Sequence, residues 1–151
     1  MIASSAEVNA VVRVINAAYE VEKFFVSGDR TDAEAVTRLM AKGAFLVSHD
    51  ESGGVTGCVY VELRGDRSYF GMLSVDPDCQ GTGLGRRLVE DAEKYAQNHG
   101  CRFMDIRVVN LRTELPPFYR KLGYEERGTE PVEDPRALQP FHFVLMSKAL
   151  A

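Results

Sequence analysis

The chain is short of cysteine, of long apolar runs, of repeats and of surplus basic charge, and each shortage closes off a class of protein. Its three cysteines, Cys58, Cys79 and Cys101, are odd in number and far apart, which argues against a disulfide framework. The three histidines, His49, His99 and His142, are as scattered, so no metal site is expected. No apolar run approaches the ~20 residues that cross a bilayer, so no membrane partner is expected. Met1–Ser5 lacks a basic region followed by a greasy core, so a signal peptide is not expected and a soluble, cytoplasmic protein is. The net charge is −4 with both signs interspersed, which argues against a nucleic-acid partner held on a basic face. An anionic cofactor stays open, because a few oriented backbone N–H groups hold phosphate on an acidic protein. With no linkers or low-complexity tracts, residues 1–151 read as one domain.

What is present is dense punctuation. Ser4 and Glu7 fit a capping box, and Val8, Val11, Val12, Ile15 and Tyr19 then recur at helical spacing. Thr31 and Glu34 suggest a second box, opening a helix that carries Val36, Leu39 and Met40 and stops at Gly43. Between the two helices lies an aromatic-containing loop, Lys23–Arg30. Ala44–Ser48 and Val55–Leu63 are rich in β-formers on either side of a turn with Gly53 and Gly54, which predicts a hairpin, and Ser68–Val75 forms the next strand. Leu84, Leu88, Ala92, Tyr95 and Ala96 then make one apolar stripe on a helix ending at Gly100. A strand at Phe103–Val109 follows. Strand, crossover helix and strand imply a parallel pair with a right-handed connection. Pro116 and Pro117 suit the opening of a short helix at Phe118–Leu122. Tyr124–Gly128 and Phe141–Ser147 are the last strands, joined by a loop over Thr129–Pro140. The fold class is α/β: a mixed sheet flanked by helices.

The segment with chemical content is Gln80-Gly81-Thr82-Gly83-Leu84-Gly85, between a strand and the start of a helix. Unsatisfied N–H groups and the positive end of the helix dipole converge there on an anion. Glycines let the backbone approach phosphate oxygens unobstructed. Two familiar phosphate loops fail on residues. The P-loop needs a lysine that is missing, and the dinucleotide fingerprint needs its third glycine where Arg86 stands.

The stretch from Leu73 through Pro77 and Gln80 to Leu88 resembles the acetyl-CoA-binding motif of the GNAT acetyltransferase superfamily, with Gln80, Gly83 and Gly85 at its defining positions. Asn110 and the run Phe118-Tyr119-Arg120-Lys121-Leu122-Gly123-Tyr124 resemble that family's second signature, in the right order. The resemblance covers roughly Tyr69 to Gly128. It implies a central, mostly antiparallel sheet whose parallel pair splays apart, and acetyl-CoA as acyl donor. It also implies that the N–H groups of Gln80, Gly81, Gly83, Gly85 and Arg86 hold the pyrophosphate and that Leu73 and Val75 pair with the pantetheine arm. Asn110 would contact that arm, and the Val75 N–H would polarise the thioester carbonyl. Tyr119 matches the family's usual general acid; the other reading is that it only packs beside Phe118.

The base is less legible: no carboxylate stands on the strand that opens Ser68-Tyr69-Phe70, which leaves Glu62, Glu22 or a water relay. Cys79, beside the phosphate loop, reads as small-residue packing rather than a nucleophile. The acceptor groove is expected from Tyr19 to Arg30 with Tyr60, Glu62 and His142. There Phe24 and Phe25 either form an aromatic wall or bury against the sheet, and Glu20, Glu22 and Asp29 are placed to attract a cation. The expected activity is N-acetylation of a small-molecule amine. A protein or peptide N-acetyltransferase and an inactive acyl-CoA sensor are the alternatives. A homodimer through the last strand and a monomer both stay open. One departure from the family pattern is that only Met1–Ala3 precedes the first helix as material for a first strand.

Overall fold

A computed structural model describes residues 1–150. Its elements run α1 (Val8–Ala18), α2 (Ala33–Lys42), β1 (Ala44–His49), β2 (Val55–Arg64), β3 (Arg67–Val75), α3 (Leu84–Asn98), β4 (Phe103–Val109), α4 (Leu115–Lys121), β5 (Glu125–Pro131) and β6 (His142–Ala149). The six strands form one sheet in the order β1-β2-β3-β4-β6-β5, antiparallel throughout except for β3 and β4. Ile2 adds a single antiparallel bridge to Leu46, with Ala3 N–H donating to Phe45 O and Val47 N–H to Met1 O, each at 2.8 Å. The residues before α1 thus add one bridge to the β1 edge.

Period-two alternation distributes side chains between two cores. On β2, Val59 and Val61 point to one face while Cys58 and Tyr60 point to the other; on β1, Leu46 and the pair Phe45 and Val47 divide the same way. The first face is covered by the apolar stripe of α3 (Leu84, Leu88, Val89, Ala92, Ala96) and by Tyr119 of α4. The second is covered by Val11, Val14 and Ile15 of α1 and Val36 of α2. Each of these Leu, Val and Ile side chains contributes about 1.5–3 kcal/mol through burial, which fixes both helix layers on the sheet. No helix among the described residues is long and apolar enough to cross a membrane.

Several expectations need correction. The cap of α2 is Asp32, whose side chain accepts from Ala35 N–H at 2.8 Å, rather than Thr31. Thr31 is buried and pairs its backbone with the Asn16 side chain in α1. Gly43 does end α2, but in an extended conformation. It is glycine because an added Cβ would overlap the Val61 carbonyl oxygen and crowd the Tyr60 hydroxyl. The helix α4 begins three residues earlier than Phe118, taking both prolines into its first turn. Part of the expected loop after Gly128 is strand, because β5 continues to Pro131.

The parallel pair positions the site. β3 and β4 are hydrogen-bonded only at Arg67–Phe103, Ser68–Met104 and Tyr69–Asp105. Arg67 closes that end with a two-pronged bond to Asp105, at 2.8 and 2.6 Å. Beyond it the strands part. The register of β3 on β2 slips by one residue between the Cys58–Ser74 and Tyr60–Gly71 pairs, which is a bulge on β3. Met72 sits in the bulge at φ 56°, a left-handed backbone that costs a non-glycine residue about 1–2 kcal/mol. The bulge turns β3 away from β4 and opens the sheet.

Candidate active site

The opening between β3 and β4 leads into a cleft of about 610 Å³ on the α3 and α4 side. Leu73 and Val75 of β3 form one wall, Leu115, Phe118 and Tyr119 of α4 the other, and the turn from Cys79 to Arg86 closes one end. Asp76 N–H donates to Thr56 O at 2.8 Å, so alternation along the strand turns the Val75 and Leu73 N–H groups away from β2, toward the gap.

The turn is built to expose N–H groups. Gly81 and Gly83 have φ of 81° and 80°, a conformation that other residues adopt at a cost. The first backbone bond of α3 is Arg87 N–H to Gly83 O at 3.1 Å. No described residue accepts from the N–H groups of Gly81, Thr82, Gly83, Leu84, Gly85 or Arg86. Six donors at a helix N-terminus are thus without an internal acceptor, and five of their residues, all but Thr82, line the cleft. Gln80 differs, since its N–H makes a long bond, 3.5 Å, to Pro77 O. Thr82 braces the turn by donating its hydroxyl to Cys79 O at 2.7 Å. A Cβ on Gly85 would make only ordinary contacts, 3.8 Å to Val75 and 3.9 Å to Phe118. That glycine is not forced by the backbone, and its missing side chain leaves the cleft clear. The Arg86 side chain lines the cleft while bonding Glu90 at 3.2 Å.

An inner cavity of about 90 Å³ continues from the cleft into the gap between β3 and β4. Tyr19, Leu73, Leu115 and Tyr119 line both spaces, so Tyr119 stands at their junction. Its ring is buried and packs on Phe70, Phe118 and Tyr124. Its hydroxyl has no hydrogen-bond partner among the described residues. Burial pushes the phenol above its ordinary value, so it stays protonated at neutral pH. Tyr19 is pushed up to about 12 by the same cause.

The other expected site residues are spread unevenly. Asn110 lies at the open end of β4, where its side chain accepts from His142 N–H at 2.8 Å and its N–H donates to His142 O at 2.9 Å. It does not line either space, nor do Tyr60, Glu62 or His142. Glu62 is held below the usual carboxylate range: burial works against this, but Tyr60 at 2.8 Å and Arg64 at 2.9 Å donate to it. Glu22 does line the inner cavity. Burial raises its carboxyl against the pull of the Arg112 guanidinium, which donates at 2.7 Å. Phe25 is fully buried, edge-on to Phe141, whereas Phe24 is 56% exposed. Cys79 lines the cleft and packs on the core, and burial pushes the Cys58 thiol up to about 12.

The expected attraction of a cation does not survive, because the acids of the acceptor loop are already paired. Lys23 holds Glu20 at 2.8 Å and Asp29 at 3.6 Å, and Arg112 holds Glu22. Instead Arg30 and Arg107 line the inner cavity, and neither figured in the reading of the sequence as a site residue in its own right. For Arg107 a signal existed: Asp105 and Arg107 are the polar positions of a strand whose Met104, Ile106 and Val108 are buried. The loop between Glu22 and Arg30, both of which line the cavity, is fastened to residues 136–138. Val26 bridges Ala137, Ser27 N–H donates to Arg136 O at 3.0 Å, and Leu138 N–H donates to Phe25 O at 2.7 Å.

Comparison with known proteins places this geometry. A family model described as an acetyltransferase (GNAT) domain matches residues 12–145. Glucosamine 6-phosphate N-acetyltransferase 1 of Oryza sativa subsp. japonica is 29% identical over 109 residues, 67% of this chain and 64% of the rice protein. The matched stretch is thus less than two thirds of that relative's length. Among solved structures, the ribosomal-protein-S18-alanine N-acetyltransferase of Escherichia coli superposes with a TM-score of 0.83 at 14% identity, covering 100% of this chain and 92% of that one. A phosphinothricin acetyltransferase of Sinorhizobium meliloti, solved in complex with acetyl-CoA, gives 0.77 at 18% identity, covering 100% and 87%. At these identities the structures speak for the fold.

Proposed function

Because the chain belongs to the GNAT acetyltransferase family, we propose that it transfers an acetyl group from acetyl-CoA to the primary amine of a small molecule by direct attack. The observation that carries this reading is the continuity of two spaces through Tyr119: a cleft ending on bare N–H groups, and an inner cavity beyond. The N–H groups of Gly81, Gly83, Gly85 and Arg86 take the pyrophosphate, with Gln80 at the margin of the turn. Leu73 and Val75 align the pantetheine arm as a strand aligns its partner, and the Val75 N–H faces the thioester oxygen. Asn110 holds the open end of β4 through His142, and so acts on the arm by fixing the mouth of the gap.

Acetyl-CoA supplies the acyl group as a thioester. Tyr119 donates its proton to the departing sulfur as the N–C bond replaces the C–S bond. The proton given up by the amine restores the phenol, so thiol and amide are the net products. A thiol-based covalent route is not invoked, since Cys79 packs against the core and its thiol has no hydrogen-bond partner among the described residues.

A small acceptor is favoured over a peptide by the size of the inner cavity, about 90 Å³, and by the loop before Arg30 being tied to residues 136–138. The rice relative is named for a small-molecule substrate, and of the two solved neighbours one is named for a protein substrate and one for a small molecule. Thiol release from acetyl-CoA over a panel of amines, run beside a thermal-shift series with coenzyme A, tests the reading. Cofactor at ~100 times its dissociation constant adds about 2.7 kcal/mol of stability. A shift without thiol release from any amine would leave an acyl-CoA sensor, and release confined to peptides would move the acceptor to proteins.

A further inference from the structure

We infer that the acceptor amine carries an oxyanion, a carboxylate or a phosphoryl group, and that Arg30 and Arg107 bind it in the inner cavity. This deepens the acetyltransferase reading and rests on it. Three observations carry it. First, the charge on the cavity wall is unbalanced. Its acid, Glu22, is engaged with Arg112, which also meets Glu114 at 3.3 Å. Arg30 is exposed and has no ion-pair partner among the described residues; Glu22 and Asp134 act on it only at longer range. Arg107 has one, Glu130 of β5, at 3.5 Å across β6 and with both side chains half-exposed.

Second, both guanidiniums are laid on aromatic rings of the same cavity. Arg30 lies 5.4 Å from the centroid of Tyr19, and Arg107 lies 5.3 Å from that of Tyr69 and 4.8 Å from that of Phe143. Stacking fixes the plane of a guanidinium and leaves its edge N–H groups for a planar or tetrahedral oxyanion. Third, the space is small. About 90 Å³ is room for roughly three waters, the size of an acid group and the few atoms linking it to an amine. A bare ammonium entering this cavity meets the unpaired Arg30 and an Arg107 held only by a 3.5 Å pair to Glu130, and an attached anion converts that repulsion into attraction.

The test uses short amino acids, their amides and their phosphonate analogues as acceptors, with thiol release as the readout. The expected result is a kcat/KM at least about tenfold higher for an anionic member than for its amide, a difference one charge-assisted bond supplies. In Arg30→Gln that preference collapses toward parity, chiefly through KM. Arg107→Lys, which keeps a stem over Tyr69, reduces it partly. Preference for the carboxylate over the phosphonate, or the reverse, assigns the anion. Thiol release that is equal or faster with the amides overturns the inference and leaves the acetyltransferase reading standing. Should coenzyme A shift the melting temperature while no amine releases thiol, the acetyltransferase reading falls. Calorimetry of N-acetyl amino acids against their amides on the coenzyme A complex then decides the anion site: selective binding of the acid supports it, and equal or absent binding overturns it.

Discussion

Replacing Tyr119 by Phe separates chemistry from packing, because the ring and the hydroxyl have different duties. The ring is buried, with centroids 5.9 Å from Phe70, 5.1 Å from Phe118 and 6.0 Å from Tyr124, and phenylalanine keeps all three contacts. The hydroxyl has no partner among the described residues, so its loss leaves no donor or acceptor stranded. The stability change should stay within about 1 kcal/mol, or roughly 2–4 °C for a domain of this size. Turnover should fall by about 10²-fold, the lower end of the range for a general acid, equivalent to ~2.7 kcal/mol of barrier. Acetyl-CoA affinity should not change, since the phenol contributes at the sulfur and not at the phosphates. The pH profile gives a second check. Burial raises the phenol, so its acid form persists above the ordinary value near 10, and no loss of wild-type rate up to about pH 9 should trace to Tyr119. Steady-state kinetics, calorimetric binding and a melting curve on one preparation suffice. Turnover within twofold of wild type would remove the assignment. A joint collapse of turnover, affinity and melting temperature would make the residue structural.

Three further substitutions probe the frame. Gly85→Val relieves a glycine in the first turn of α3 without backbone strain. Stability should hold or rise by up to ~1 kcal/mol while the acetyl-CoA dissociation constant rises about tenfold or more, as read by calorimetry. Gly43→Ala forces a Cβ onto the Val61 carbonyl and the Tyr60 hydroxyl, and should cost about 1–3 kcal/mol in denaturant melts with no change in cofactor affinity. Asp105→Asn weakens the clamp at the closed end of the β3–β4 pair. Arg67, with help from the Ser147 hydroxyl, holds Asp105 below the usual carboxylate range. A depressed carboxyl contributes stability above its unfolded value near 4 and loses it as pH falls through the folded one. The variant should be about 1 kcal/mol weaker at pH 7, a figure discounted for exposures of 43% and 33%, and should converge on wild type only as the pH falls through the depressed folded value.

How much of this was legible in the sequence depended on whether a local rule governed the residue. The glycine turn was readable because Gly81, Gly83 and Gly85 follow a strand and open a helix, a placement with few other uses. The three apolar strands and the stripe on α3 followed from periodicity. The last three residues of β5, 129–131, read as loop because Gly128 and Pro131 punctuate an exposed, charged stretch that includes Glu130. Edge strands carry such residues to discourage pairing, and they read as loop. Met72 gave no sign of its left-handed backbone, although Gly71 before it is the kind of strand glycine that marks a bulge. The cap of α2 went to Thr31 instead of Asp32 because two capping residues stand side by side, and only the burial of Thr31 against Asn16 separates them. Arg30 and Arg107 come from elements far apart in the chain. Their meeting in one cavity is a product of the splayed sheet, which no local pattern encodes.

The account stands on main-chain hydrogens, which substitution cannot remove one by one, so the direct measurement is spectroscopic. Amide resonances of a uniformly ¹⁵N-labelled sample should be followed while coenzyme A, and separately pantetheine, is titrated in. Large shifts at Gly81, Gly83, Gly85 and Arg86 with coenzyme A, absent with pantetheine, are the expected result. Binding of coenzyme A that leaves those four resonances in place would contradict the account.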